Sequence, residues 1–172
     1  MQTIKYFLQL IKLRLSIAVV FSAIAGYLLG VESYTDIIYQ EIFFLALAGI
    51  LVVGSANGLN QVLERDHDKL MSRTANRPLP KGNLEIIPSL LFSFIIGAIG
   101  LILLYIINPY CSYYGLCSIV LYVLLYTPLK RVSPVSLFIG AIPGAIPFLL
   151  GWVASFSNSV ESGFEMASGI LF

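Results

Sequence analysis

The sequence predicts an all-α protein, a polytopic bundle of membrane-spanning helices. Of its 172 residues, 58% are hydrophobic and only 11% are charged, and the mean hydropathy is +0.90. Soluble domains are less apolar and carry about 25% charged residues. A crossing needs about 20 apolar residues. We therefore treat residues 1–172 as a single membrane domain with room for several spans.

Five stretches without charged residues are each long enough to cross a bilayer as a helix. They are residues 15–31, 42–63, 86–107, 110–129 and 132–156. The first could be a secretory signal, but no small-residue cleavage site leads from it into a soluble domain, so we interpret it as a span. A sixth apolar run begins at Met166 and reaches Phe172, which we interpret as the start of a sixth helix.

All ten Lys and Arg residues fall on one side of this arrangement, and the net charge of +1 gives no indication of a nucleic-acid partner. They precede the first span, lie between the second and third, or lie between the fourth and fifth. Under the positive-inside rule, the N-terminus and the 64–85 segment are cytoplasmic. We expect a multi-pass protein of a bacterial inner membrane.

Small residues and prolines indicate how the spans pack. The GxxxG pairs Gly26–Gly30, Gly54–Gly58 and Gly140–Gly144 predict close helix approach. Pro143 and Pro147 are expected to kink the last span and open space beside it.

A stripe of oxygen-bearing side chains begins at Asn60. Asn60, Glu64 and Asp68 follow at spacing i, i+4, i+8, which places all three on one face of a helix, whereas Asp66 lies off that face. Carboxylates at the edge of a membrane need a compensating charge, and hard oxygen ligands suit Mg²⁺. For these residues alone, a Mg²⁺ site and a solvated helix end both remain open.

Cations accompany the stripe at four-residue intervals and end in a proline-bounded turn. They are Arg65, Lys69, Arg73, Arg77 and Lys81. Arginine presents a planar fork that matches phosphate oxygens. Cations beside metal-binding carboxylates predict a diphosphate site, although Lys69 and Lys81 could equally be cytoplasmic anchors.

Two runs then resemble one known family. Residues 60–82, NQVLERDHDKLMSRTANRPLPKG, resemble the first Asp-rich motif of the UbiA superfamily of intramembrane prenyltransferases, in the extended form of its protohaem IX farnesyltransferase (haem O synthase) branch. YTPLKR at 126–131, SP at 133–134, GAIPGAIP at 140–147 and GW at 151–152 are similar to the fourth and fifth helices of that branch.

The resemblance implies nine helices in two halves, each with an Asp-rich motif at a cytoplasmic mouth. It implies that Mg²⁺ is bound by Asn60, Glu64 and Asp68 and bridges to farnesyl diphosphate. The acceptor would be a vinyl group of haem b, and the product haem O.

Residues beyond the metal ligands follow from the same chemistry. We expect a clamp on the diphosphate and aromatic faces beside the farnesyl cation. The clamp residues are Arg73, Arg77 and Lys130, with Lys81 and Arg131 as further candidates, and the aromatic residues are Tyr122 and Tyr126.

The sequence departs from this family in one respect. It has no second carboxylate cluster, because Glu161 and Glu165 lie on the opposite side from the first and have no accompanying arginine. We expect the chain to be part of a longer synthase and to be a poor catalyst by itself. Alternatives are a UbiA-type enzyme for a quinone or chlorophyll precursor, and a non-catalytic membrane protein such as a transporter half or an assembly subunit.

Overall fold

The computed structural model describes residues 2–156, and these form six helices joined by turns. The helices are α1 (Gln2–Leu10), α2 (Leu13–Gly30), α3 (Tyr39–Leu70), α4 (Ile86–Ile107), α5 (Pro109–Leu129) and α6 (Ser136–Ala154). A single 3₁₀ turn, Tyr34–Asp36, links α2 to α3. The predicted all-α class is confirmed over this part of the chain.

Five of the described helices, α2 to α6, are long and apolar enough to cross a membrane. They correspond to the five predicted spans. The sixth apolar run from Met166, with Glu161 and Glu165, lies outside the described residues.

Helix α3 is longer than the predicted span, which ended at residue 63. It has 32 residues and ends at Leu70, so it is about 48 Å long at 1.5 Å per residue, against a hydrocarbon core of about 30 Å. The additional turns are built from Glu, Arg and Lys, which favour helix. Glu64 and Asp68 are therefore fixed on a rigid element.

The five spans pack in a ring. Each contacts the next along the chain, and α6 returns to pack along α2. Buried residues of α2, α3, α4 and α6 meet in the largest apolar core, which includes Tyr27, Leu45, Leu104, Leu150 and Val153. The ring brings the ends of α3 and α5 to the same rim as the start of α6.

Glycines set the contact between α2 and α6. A Cβ added at Gly26 would collide with the backbone carbonyl of Phe148, and one added at Gly151 would collide with the carbonyl of Ala23. The two backbones therefore touch without intervening side chains, as small residues allow. The close approach predicted from the Gly26–Gly30 pair is confirmed.

Gly144 differs from the other GxxxG glycines. Nothing lies within 4 Å of a Cβ placed there, so the predicted close helix approach is wrong at this position. Gly144, Pro143 and Pro147 instead line a cavity between α6 and its neighbours, as expected of prolines that open space.

The short helix α1 covers the rim of the ring. Leu10 packs with Leu79 and Leu84 of the segment that connects α3 to α4. Phe7 contacts Phe92 of α4, with ring centroids 4.6 Å apart. This rim, which carries all ten Lys and Arg residues, is therefore packed on one side by an apolar contact.

Candidate functional site

The oxygen-bearing stripe of α3 faces inward. Asn60, Glu64 and Asp68 are 2%, 7% and 3% exposed, whereas Asp66 is exposed. The helical spacing predicted for these residues is present, and their burial does not fit a solvated helix end. Buried carboxylates require partners of opposite charge.

Both carboxylates have cationic partners from other segments. Lys130 Nζ donates to Glu64 Oε2 at 2.6 Å, and Arg77 Nη1 donates to Asp68 Oδ2 at 2.6 Å. Arg131 Nη2 lies 3.6 Å from Glu64 Oε1. The connections after α3 and after α5 are thus joined to the same two carboxylates.

Asn60 is held by a residue that the sequence analysis did not select. Its Nδ2 donates to Thr127 Oγ1 at 2.8 Å, and Thr127 Oγ1 donates to the carbonyl of Tyr122 at 2.8 Å. With Nδ2 committed to Thr127, the Oδ1 atom is left to accept from or coordinate a ligand. The only sequence signal for Thr127 was its place in the YTPLKR run.

Tyr122 and Tyr126 lie on a distorted part of α5. Residues Leu121–Tyr126 are π-helical and are followed by Pro128, which cannot donate a backbone hydrogen bond. Such π segments are frequent at functional sites. The two rings stack with centroids 5.3 Å apart, and Lys130 Nζ lies 5.4 Å from the Tyr126 centroid.

These groups surround one cavity of about 450 Å³. Its lining residues are Lys12, Asn60, Glu64, His67, Asp68, Met71, Arg73, Thr74, Arg77, Tyr122, Tyr126, Lys130 and Arg131. Every residue predicted for the site therefore lines it, except Lys81. Lys81 is exposed in the turn after Pro80 and does not line this cavity.

The cavity carries an excess of positive charge. Five cations and two carboxylates line it, which gives a net charge of 5 − 2 = +3 with His67 neutral. Arg77, Lys130 and Arg131 are paired with the carboxylates, but Lys12 and Arg73 form no ion pair with a described residue. An anion with several charges is the natural complement of such a chamber.

Lys12 is the cation that sequence reasoning missed, because it was interpreted only as a topological charge before the first span. Burial, together with the positive charges of Arg77 and Lys130, lowers the pKa of Lys12 to about 8 against the opposing effect of Asp68 and Glu64. A bound anion would favour its protonated form. No pattern in the sequence distinguished it from Lys5 or Arg14.

A second, apolar cavity of about 170 Å³ adjoins the first. Tyr122 lines both cavities. Val52, Ala56, Pro143 and Gly144 contribute to its walls, together with the polar Asn57 and Ser118. A charged chamber and an apolar chamber thus share one wall.

The donor set fits Mg²⁺. Two carboxylates and an amide oxygen are hard ligands, and Mg²⁺ keeps several waters and commonly takes its remaining ligands from substrate phosphates. Among the described residues there is no group of three or more His, Cys, Asp or Glu side chains that could hold a metal. The set therefore suits an ion shared with a phosphate better than one held by protein alone.

Comparisons with protein families and with curated proteins agree with one another. The profile of the UbiA prenyltransferase family matches residues 19–172. The chain is 48% identical over 158 residues to a protoheme IX farnesyltransferase from Christiangramia forsetii, covering 91% of this chain and 52% of that protein. It is 44% identical over 158 residues to one from Flavobacterium psychrophilum, covering 91% and 53%. The chain spans about half the length of the curated relatives it matches.

A solved structure shares the fold. A structure of digeranylgeranylglyceryl phosphate synthase in membranes aligns with a TM-score of 0.82 over 97% of this chain and 58% of that one, at 24% identity. The arrangement of α1 to α6 is therefore one already known among membrane proteins.

Proposed function

This chain belongs to the UbiA prenyltransferase family, and we propose that its two cavities bind farnesyl diphosphate for prenyl transfer to a vinyl group of haem b. Its five apolar helices and its family make it an integral, multi-pass membrane protein. We further propose that the membrane is a bacterial inner membrane and that the charged rim faces the cytoplasm, because all ten Lys and Arg belong to that side.

The observation that carries the proposal is the junction of the two cavities at Tyr122. The chamber with a net charge of +3 complements a diphosphate, and the apolar chamber complements an isoprenoid chain. A non-catalytic membrane subunit has no need for this combination. The haem acceptor rests on the names of the relatives, so a quinone or chlorophyll precursor remains the alternative acceptor.

The cations prepare the site for the leaving group. Ion pairs with Asp68 and Glu64 hold Arg77 and Lys130 at the cavity wall, so little side-chain freedom is lost when a diphosphate binds. Arg73, which forms no ion pair with any residue in the described part of the chain, is available to phosphate oxygens directly. Mg²⁺ held by Asn60, Glu64 and Asp68 would supply further neutralisation of the diphosphate charge.

Ionisation of the farnesyl diphosphate leaves a cation beside the rings of Tyr122 and Tyr126. When the bond between the isoprenoid C1 and the diphosphate oxygen breaks, the electron pair leaves with the diphosphate and an allylic cation remains. The stacked rings of Tyr122 and Tyr126 can stabilise positive charge through their faces. The apolar chamber keeps water from the allylic cation until the vinyl group forms a carbon–carbon bond with it. The positive charge then lies on the other vinyl carbon, where water adds and loses a proton to give the hydroxyl group of haem O.

Transfer can be tested in a chimera in which residues 2–156 are followed by the C-terminal half of the Christiangramia forsetii relative. In membranes of a bacterium without haem O synthesis, we expect the chimera to form haem O from haem b, farnesyl diphosphate and Mg²⁺, detected by mass spectrometry. A chimera that inserts and binds farnesyl diphosphate but prenylates only a quinone precursor would assign the alternative acceptor.

The 172-residue chain is expected to form no haem O by itself, because its described carboxylates could place Mg²⁺ on only one side of a diphosphate. Haem O in membranes that contain only this chain would show this expectation to be wrong. Binding of farnesyl diphosphate by the same membranes separates loss of catalysis from loss of the site.

The apolar chamber gives a prediction about how tightly the isoprenoid chain is bound. Gly144→Phe is expected to fill open space in the cavity of about 170 Å³ and to weaken farnesyl diphosphate binding by about tenfold or more, as lost burial of several methylenes implies. Inorganic pyrophosphate binding should not change, because Gly144 does not line the charged chamber. Competition binding to the purified chain measures how much the substitution weakens each of the two ligands. Equal weakening of both would mean that the isoprenoid does not occupy this cavity.

A further inference from the structure

The backbone between α1 and α2 adopts an unfavourable conformation at Lys12. Its φ and ψ are 48° and 54°, in the left-handed region, and among the described residues it is the one non-glycine residue with a positive φ. Such a conformation is disfavoured for a side chain with a Cβ. It persists only where the surroundings determine it, and it is concentrated at functional sites.

Two buried side chains determine it here. Gln61 Nε2 donates to the carbonyl of Leu10 at 2.6 Å, and Ser16 Oγ donates to the carbonyl of Ile11 at 3.0 Å. These carbonyls lie at the end of α1, where an α-helix has no partners for them. Gln61 is 1% exposed and Ser16 is 0% exposed, so the break between the helices is held from both sides in the protein interior.

The result of the break is that Lys12 lines the charged cavity. The carboxylates there are already paired, Glu64 with Lys130 and Asp68 with Arg77. Lys12 therefore adds a positive charge to a chamber in which the positive charges already exceed the negative ones. Within the described chain this placement is electrostatically unfavourable, and a bound polyanion would make it favourable.

We propose that Lys12 is a direct ligand of the substrate diphosphate, and that Gln61 and Ser16 are positioning residues that fix the helix break from which it reaches the site. The inference rests on the proposed function, since it names a further ligand in the same chamber. A phospholipid headgroup offers similar phosphate chemistry, so the test must separate a free diphosphate from lipid.

Calorimetric titration of inorganic pyrophosphate with Mg²⁺ into the full chain in dodecyl maltoside provides the test, because this detergent contains no phosphate. Lys12→Gln is expected to weaken binding by about 10- to 100-fold, the effect of losing one hydrogen bond to a charged group. Lys12→Arg should retain most of the affinity. Lys69→Gln is the matched control, because Lys69 is exposed and does not line the cavity.

Lys12→Gly guards against a folding defect. Glycine adopts the left-handed conformation without strain, so this variant keeps the helix break while removing the whole side chain and its ammonium group. It should bind as weakly as Lys12→Gln. If the wild-type chain binds pyrophosphate and both variants bind equally well, Lys12 is not a ligand. If Lys12→Gln changes only the amount of anionic phospholipid that copurifies with the chain, Lys12 binds a lipid headgroup and not the substrate diphosphate. Failure of the wild-type chain to bind pyrophosphate would overturn the proposed function, and the role of Lys12 with it.

A double-mutant cycle tests the positioning role of Gln61. Gln61→Leu is expected to weaken pyrophosphate binding. Adding Lys12→Gln to it should lower the affinity little further, because the first change already lets the Lys12 ammonium group leave its position in the cavity. Losses that add fully would show that Gln61 acts only on stability. The cycle uses binding alone and needs no activity from the chain.

Discussion

Asp68→Asn is expected to abolish the Mg²⁺-dependent part of pyrophosphate binding by the chain and to reduce haem O formation by the chimera about 100-fold or more, the scale seen when a group that stabilises developing charge is removed. Asparagine has nearly the same shape as aspartate but no negative charge, so at this position it holds Mg²⁺ more weakly than a carboxylate does. Asp68 is only 3% exposed, so bulk solvent offers little compensation for the lost charge.

Pyrophosphate binding without Mg²⁺ should not be weakened by Asp68→Asn. Without the carboxylate of Asp68, the cavity has five cations and one carboxylate, a net charge of +4 instead of +3. Arg77 also loses its 2.6 Å partner and becomes available to phosphate. Pyrophosphate binding in the presence of EDTA is therefore expected to be unchanged or stronger. A variant that simply unfolded would lose binding under both conditions.

Asp66→Asn is the matched control. Asp66 lies two residues away on the same helix, its side chain is 79% exposed, and it pairs with its neighbours Arg65 and Lys69. Exposed ion pairs contribute little, so both binding and transfer should stay near wild type. If Asp66→Asn and Asp68→Asn behaved alike, the stripe would have no special role in holding metal.

The sequence predicted the helical class, the five spans and the common face of the stripe because each follows from a local pattern. Charge-free runs of sufficient length specify spans, and the four-residue spacing of Asn60, Glu64 and Asp68 specifies a common face. It could not predict which cations reach the stripe. Arg77 and Lys81 continue the same four-residue spacing and both carry a positive charge, but only Arg77 of the two contacts Asp68.

Lys12 and Thr127 were missed for a related reason. Their roles depend on contacts between residues far apart in the chain: Gln61 reaches α1 across 51 positions, and Asn60 reaches Thr127 across 67. A single sequence carries no signal for such pairs. The Gly140–Gly144 pattern was equally ambiguous, because a glycine at helical spacing can serve a helix contact or leave a cavity open.

Gly151→Ala is expected to lower the stability of the bundle by about 3 kcal/mol, near the upper end of the usual cost of adding atoms to a packed interior. The added methyl group would meet the backbone carbonyl of Ala23, and a backbone cannot rotate away as a flexible side chain can. The α2 and α6 helices would have to separate. Because their contact closes the ring of spans, the charged rim would lose its shape as well.

Gly144→Ala provides the matched control on the same helix. Both substitutions replace glycine by alanine within α6, so they gain the same helix propensity. Nothing lies within 4 Å of a Cβ at Gly144, so this variant should be as stable as wild type or slightly more stable. Trp152, the single tryptophan, adjoins Gly151, so its fluorescence during thermal or denaturant unfolding in detergent reports on both variants. Equal unfolding midpoints for the two variants would mean that α2 and α6 do not meet backbone to backbone. A large loss of stability confined to Gly151→Ala would establish that contact as the one that closes the bundle around its cavities.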